Sequence, residues 1–298
     1  MRIKSRVPKV NESDGLPLDK RYWAILATAL GVGMSVIDGT IANVALPTIA
    51  RDLAISPSMS IWIVNAYQLA LMVSLLSFSS LGDIHGYRRI FLIGVALFSV
   101  TSLVCALADS FWTLTLARVL QGFGAAAITS VNTAILRIIY PRRFLGRGMG
   151  INALVVAVSI AAGPSLAAAI LAIGPWNWLF AINVPVGICT FIVGCMYLPY
   201  NPVKTIRRKF DKISSLGNAF TFGLLIIALE GVAHKQNALW IATEIVALGV
   251  IGYFFIRRQL KQEYPLLQIV PQTDTGGQVE NTKALERTRV KELGKMVP

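Results

Sequence analysis

The chain has 298 residues, 55% of them hydrophobic and only 14% charged, with a net charge of +13 and a mean hydropathy of +0.62. That is too apolar for a soluble domain of this size and places the chain among polytopic membrane proteins. Its basic residues fall in short clusters between apolar runs and not in one patch with interleaved aromatics, so nucleic acid is excluded as a partner and membrane topology is indicated instead.

The N-terminal stretch mixes Arg2, Lys4, Arg6 and Lys9 with Glu12 and Asp14 around no apolar core, so it is not a cleavable signal peptide. The first span must itself serve as the insertion signal. Crossing a hydrocarbon core of about 30 Å takes about 20 apolar residues. Eight stretches qualify: Tyr22 to Ala50, Ser60 to Leu81, Ile90 to Ala108, Trp112 to Ile139, Leu145 to Ile173, Trp178 to Leu198, Ile213 to Gly231 and Ala238 to Ile256. Basic residues alternate strictly across their connections. Arg88 and Arg89 follow span two, Arg142, Arg143 and Arg147 follow span four, Lys204 to Lys212 follow span six, and Arg257 and Arg258 follow span eight. By the positive-inside rule both termini are expected in the cytoplasm.

The organisation expected is therefore all-α, a membrane helical bundle in five parts. A cytoplasmic tail covers 1–21, a six-helix half 22–198, a basic cytoplasmic loop 199–212, two additional spans 213–256 and a cytoplasmic tail 257–298. Beyond Val270 the chain turns polar, with mixed charges and at best a short amphipathic helix after Asn281.

Span one holds the most informative residue. Asp38 sits deep in an apolar run and is followed by Asn43 and Pro47. A charge there costs about 2.5–3.5 kcal/mol even on lenient insertion scales, which makes an intramembrane Asp a candidate functional group. Arg118 lies about seven residues from the outer end of span four, roughly 10 Å deep at 1.5 Å per residue. Asp38 lies about a dozen residues from the outer end of span one, so the two can meet in the outer half of the bundle. A desolvated carboxylate beside a guanidinium holds a charge balance that water or a cationic substrate can tip. A plain structural ion pair is the alternative.

Other groups are weaker. Glu244 in span eight and Glu230 near the end of span seven could attract a cation, and Tyr67 and Gln68 in span two could line a cavity together with Asn43. Trp62, Trp112, Trp176, Trp178 and Trp240 lie near span ends, as an aromatic belt would, and His234 reads as a solvated loop residue. Cys105, Cys189 and Cys195 lie in apolar runs with no CxxC pair, and read as packing residues. No nucleophile–base pair, phosphate loop or metal cluster is visible, so neither enzyme chemistry nor a cofactor is expected.

Four stretches in order carry a family resemblance over residues 20 to 270. They are VIDGTIANVALPTI in span one, LGDIHGYRR between spans two and three, LARVLQGFGAAA in span four and AAGPSLAAA in span five. The chain resembles the major facilitator superfamily and, more narrowly, its 14-span drug:proton antiporter branch, whose sixth span WNWLFAINVPVG also resembles. The resemblance implies that Asp38 is the span-one acid, and that Arg118 and Gln121 match the span-four motif linked to proton coupling. Gly150, Gly163 and Pro164 match the span-five antiporter motif, with Ser159, Ala167 and Ala168 where glycines are usual. Gly82, Asp83, Gly86, Arg88 and Arg89 match the cytoplasmic gating motif, with Ile84 and Tyr87 where basic residues are common.

The function so implied is proton-driven export of small lipophilic, cationic drugs, dyes or biocides across the bacterial cytoplasmic (inner) membrane. Its partners are the lipid bilayer, protons and those substrates. A metabolite or siderophore exporter is one alternative and a non-transporting membrane partner protein another. Rocking transport needs a second six-helix half, which these spans do not include, and YPLLQIV at Tyr264 to Val270 resembles a lead-in to span nine. The expectation is a premature end by frameshift or a shortened reading, with transport only if two copies associate or a second chain supplies the other half.

Overall fold

In the computed structural model the described residues are 15–200 and isolated positions between 217 and 257. They form helices α1 (Leu18–Asp52), α2 (Pro57–His85), α3 (Tyr87–Ala106), α4 (Phe111–Ile139), α5 (Leu145–Ile173), α6 (Trp178–Ala181) and α7 (Asn183–Tyr197). A 3-10 turn, Arg142–Phe144, leads into α5. Among the described residues there is no strand, and six stretches are long and apolar enough to cross a membrane, α6 and α7 together forming the sixth. The fold is an all-α membrane bundle. Expected spans seven and eight fall largely outside the described residues, as do Glu230, His234, Trp240, Glu244, the basic loop and the C-terminal tail.

Local chemistry sets the helix ends. Ser56 caps α2 by accepting from the Met59 amide at 3.3 Å, with Pro57 in the first turn, where its missing N–H is not needed. Ser110 caps α4 in the same way through Thr113 at 3.3 Å. In span six, Pro185 cannot donate to the Ala181 carbonyl, and the helix is broken at Ile182 into α6 and α7.

The expected loop between spans two and three is not a loop. α2 runs on to His85 and α3 begins at Tyr87, so Gly82 and Asp83 lie in the last turn of one helix and Arg88 and Arg89 in the first turn of the next. Gly86 alone makes the reversal, at φ +101°, ψ 132°, a conformation that L side chains rarely adopt. Gly86→Ala is expected to destabilise the bundle by about 1–2 kcal/mol. The readout is a lowered thermal midpoint of the purified protein in detergent, and an unchanged midpoint would refute the strain.

α4 is the centre of the bundle. It packs on α2 through Gly122, where an added Cβ would lie 2.5 Å from the Tyr67 carbonyl oxygen. On α3 it packs through the facing pair Gly94 and Gly124, each of whose Cβ positions meets the other's carbonyl oxygen at 3.0 Å or less. Small residues permit such backbone approach inside a bilayer, where van der Waals packing replaces the hydrophobic drive. α5 sits more loosely: 61% of the apolar window of α1 or α4 is buried, but only 17% of that of α5. Two apolar clusters result, one around Phe91, Phe98, Ile128 and Ile135 and the other around Ile49, Ile63, Leu114 and Phe180. Asp38, Arg118 and Gln121 occupy the level between them on α1 and α4.

Candidate functional site

Among the described residues, Asp38 and Arg118 are the two buried charged side chains, 1% and 0% exposed, and they form an ion pair through Arg118 Nη1 and Asp38 Oδ2. Neither charge could remain inside a bilayer alone, so each must find its partners within the protein.

Groups on α2, α3, α4, α6 and α7 surround the pair. Gln121, one turn after Arg118 on α4, donates from Nε2 to Asp38 Oδ1 at 3.0 Å and accepts from Arg118 Nη1 at 2.7 Å. Asn183, the first residue of α7, donates from Nδ2 to Asp38 Oδ1 at 2.7 Å. On α3, Ser102 Oγ accepts from Gln121 Nε2 at 2.8 Å. From α2 the Tyr67 ring lies 4.1 Å from the guanidinium carbon of Arg118, its hydroxyl donating to the Ser35 carbonyl at 2.9 Å, while the Ile63 carbonyl accepts from Arg118 Nε at 3.3 Å. The Phe180 ring of α6 stands 5.5 Å from the same guanidinium. Asp38 thus receives one guanidinium and two carboxamide donors, and Arg118 is stacked on an aromatic face.

The meeting of Asp38 and Arg118 agrees with the depths counted from the sequence, and Gln121 meets both. Tyr67 joins them, but Gln68 is only half-buried and Asn43 is exposed, its amide donating to the Gly39 carbonyl at 3.2 Å one turn back. Asn43 therefore takes no part in the buried cluster. Asn183 and Ser102 were missed. The sign of Asn183 was there to read, an amide in the middle of an apolar span, whereas Ser102 looks like any small packing residue.

The span-five motif divides. Gly163 is buried against α1, where a Cβ would overlap the Thr40 hydroxyl, and Pro164 lies inside the helix with its side chain exposed. Gly150 does not share that close contact, being exposed with open space at its Cβ position. The packed glycine of that first turn is Gly148, set against the Tyr140 ring. At the Gly86 end, Asp83 Oδ1 accepts from the Tyr87 hydroxyl at 2.6 Å, so the tyrosine engages the acid from a position where a basic residue is common. Arg88 donates to the Cys195 carbonyl and lies over the Tyr200 ring at 4.0 Å, tying α3 to the end of α7.

Trp62, Trp112 and Trp178 are exposed, as an aromatic belt requires. Trp176 is not. It is 2% exposed and donates from Nε1 to Asp52 Oδ2 at 2.7 Å, because the turn before α6 folds back over the end of α1.

A bundle of helices long and apolar enough to cross a membrane, with an ion pair buried among them, defines an integral membrane protein. A sequence profile of the Major Facilitator Superfamily matches residues 28–271, and the chain belongs to that family. It is 58% identical over 263 residues to YebQ, an uncharacterized transporter of Escherichia coli K12, covering 88% of this chain and 57% of that protein. It is 38% identical over 255 residues to the tetracenomycin C resistance and export protein of Streptomyces glaucescens, covering 84% and 47%. To the riboflavin transporter RibZ of Clostridioides difficile it is 31% identical over 230 residues, covering 77% and 50%. The chain spans about half the length of these curated relatives. Among solved structures, the human organic anion transporter MFSD10 shares the fold at a TM-score of 0.56 and 15% identity, covering 70% of this chain and 55% of that one.

Proposed function

We propose that these spans carry the coupling site of a proton-driven exporter of lipophilic compounds, of the drug:proton antiporter type, in the bacterial cytoplasmic membrane with both termini inside. Residues 22–198 are the N-terminal half and 213–256 an inserted pair of spans. The observation that carries this reading is the buried Asp38–Arg118 pair, with Gln121 and Asn183 on the same carboxylate. Such a carboxylate can exchange its guanidinium partner for a proton or for a lipophilic cation, and competition between those two is what antiport requires. Relatives such as the tetracenomycin C resistance and export protein favour outward movement of the cargo. The contact of Gly163 with Thr40 is the pivot between α5 and α1, and the Gly82 to Arg89 corner between α2 and α3 is the gate. Rocking needs a second six-helix half, supplied by the same protein, a second chain or a second copy.

The test uses the purified chain in weakly buffered detergent solution. Adding tetraphenylphosphonium in acid solution, to the chain with Asp38 protonated, is expected to release about one proton per cation bound, since linked ligands displace one another reciprocally, whereas the ionised Asp38–Arg118 pair has no proton to give. Saturable binding with no proton released would overturn the competition.

A further inference from the structure

The mutual packing of α1, α5 and α7 leaves a cavity of about 560 Å³, within the range of roughly 300–1,000 Å³ usual for small-molecule sites. Its walls are apolar, with Ile37, Ile41, Val155, Val158, Leu166 and Val186 prominent, and no charged side chain lines it. Leu154 and Val158 are exposed at its rim. Among the described residues its polar wall is Ser159 and Asn183. Asn183 is the same residue that donates to Asp38 at 2.7 Å, and it is only 4% exposed. With its Nδ2 engaged by the carboxylate, its carboxamide oxygen accepts no hydrogen bond among the described residues.

We infer that this cavity is a second ligand site, binding an uncharged lipophilic molecule that donates one hydrogen bond to the Asn183 carboxamide oxygen. Charge complementarity decides the class. A cation placed here would leave water and meet no carboxylate, since Asp38 is already held by Arg118, Gln121 and Asn183. An uncharged apolar body loses little by entering, and a single N–H or O–H satisfies the open Asn183 oxygen, the Ser159 hydroxyl being the other polar group on the wall. The site also has a consequence for coupling. A donor on the amide oxygen polarises the amide and strengthens its Nδ2–H bond to Asp38, so occupancy of the cavity is felt at the carboxylate two bonds in the chain away. That relay rests on the coupling role proposed for Asp38; the binding itself does not.

The probe is N-phenyl-1-naphthylamine, a neutral lipophilic fluorophore with one N–H, compared with its N-methylated analogue, which has none. On the purified chain in detergent the parent is expected to bind saturably and about tenfold more tightly than the analogue, the fold-change of one lost hydrogen bond to a buried acceptor. Asn183→Leu is expected to bring the two affinities together. Val158→Trp, which fills the cavity from its exposed rim and leaves Asn183 intact, is expected to weaken the parent by about tenfold or more with an unchanged helical spectrum. Equal binding of parent and analogue to the unaltered chain overturns the anchoring role, and undiminished binding to Val158→Trp overturns the site. A phospholipid that co-purifies with the unaltered chain but not with Val158→Trp, and that prevents probe binding, would show a lipid chain as the occupant and also overturn it. Proton release by tetraphenylphosphonium is read separately, so loss of the coupling role and loss of this site are told apart.

Discussion

Asp38→Asn is expected to abolish the proton release that accompanies tetraphenylphosphonium binding, by about tenfold or more, while the chain still inserts in the membrane with its helices intact. In a protein of the relatives' full length carrying these spans, the same change is expected to abolish export. The two readouts separate because they depend on different properties. Insertion follows the apolar length of the spans and the basic connections, which the substitution leaves alone. Proton exchange needs an ionisable group, and Asp38 is the one buried carboxylate among the described residues. A carboxamide has nearly the same shape, and with its oxygen in the place of Oδ1 it keeps the donors from Gln121 and Asn183 but presents an N–H₂ to Arg118. Arg118, 0% exposed, loses its counter-charge and faces that N–H₂, so a stability cost of about 3–5 kcal/mol is expected besides. Undiminished drug resistance in the full-length variant would sink the assignment of Asp38.

How much of this was legible before the structure depends on the kind of signal each residue gives. The six described spans follow from apolar length alone, and α5 begins and ends where the sequence placed it, because Pro141 and Gly174 bracket a continuous apolar run. Gly86 makes the tight turn its residue type suits, but the helices run closer to it than the apolar runs extend. A cluster of Gly, Asp, His and Arg reads as a loop, yet a single glycine at positive φ suffices to reverse the chain, and the charged residues become helix ends. The Asp38–Arg118 pair was accessible because depth in a bilayer can be counted at a fixed rise per residue. Asn183 shows in the sequence as an amide within an apolar span, but its partner does not, since that depends on the break at Ile182, which sets the start of α7 beside α1. Trp176 shows the limit of counting. Its position near a span end fits a belt, but a turn of a few residues is enough to fold it inward onto Asp52.

Arg118→Leu carries the second large effect and tests whether the pair is structural as well as functional. Removing one member of a buried ion pair costs about 3–5 kcal/mol, because the other charge is left uncompensated. Here the lower end is expected, near about 3 kcal/mol, since Gln121 and Asn183 still donate to Asp38. Tyr67 and Phe180 lose the cation between their rings, but a leucine keeps them in apolar contact. The double variant Asp38→Asn/Arg118→Leu removes both charges at once. It is expected to be more stable than Arg118→Leu alone, recovering roughly half of the loss or more, because no buried charge then lacks a partner. Thermal unfolding of the purified proteins in detergent reads all four members of the cycle. Simple additivity of the two single losses would mean that Asp38 and Arg118 do not sustain one another, and the buried pair could not then be the element that a proton or a cation displaces.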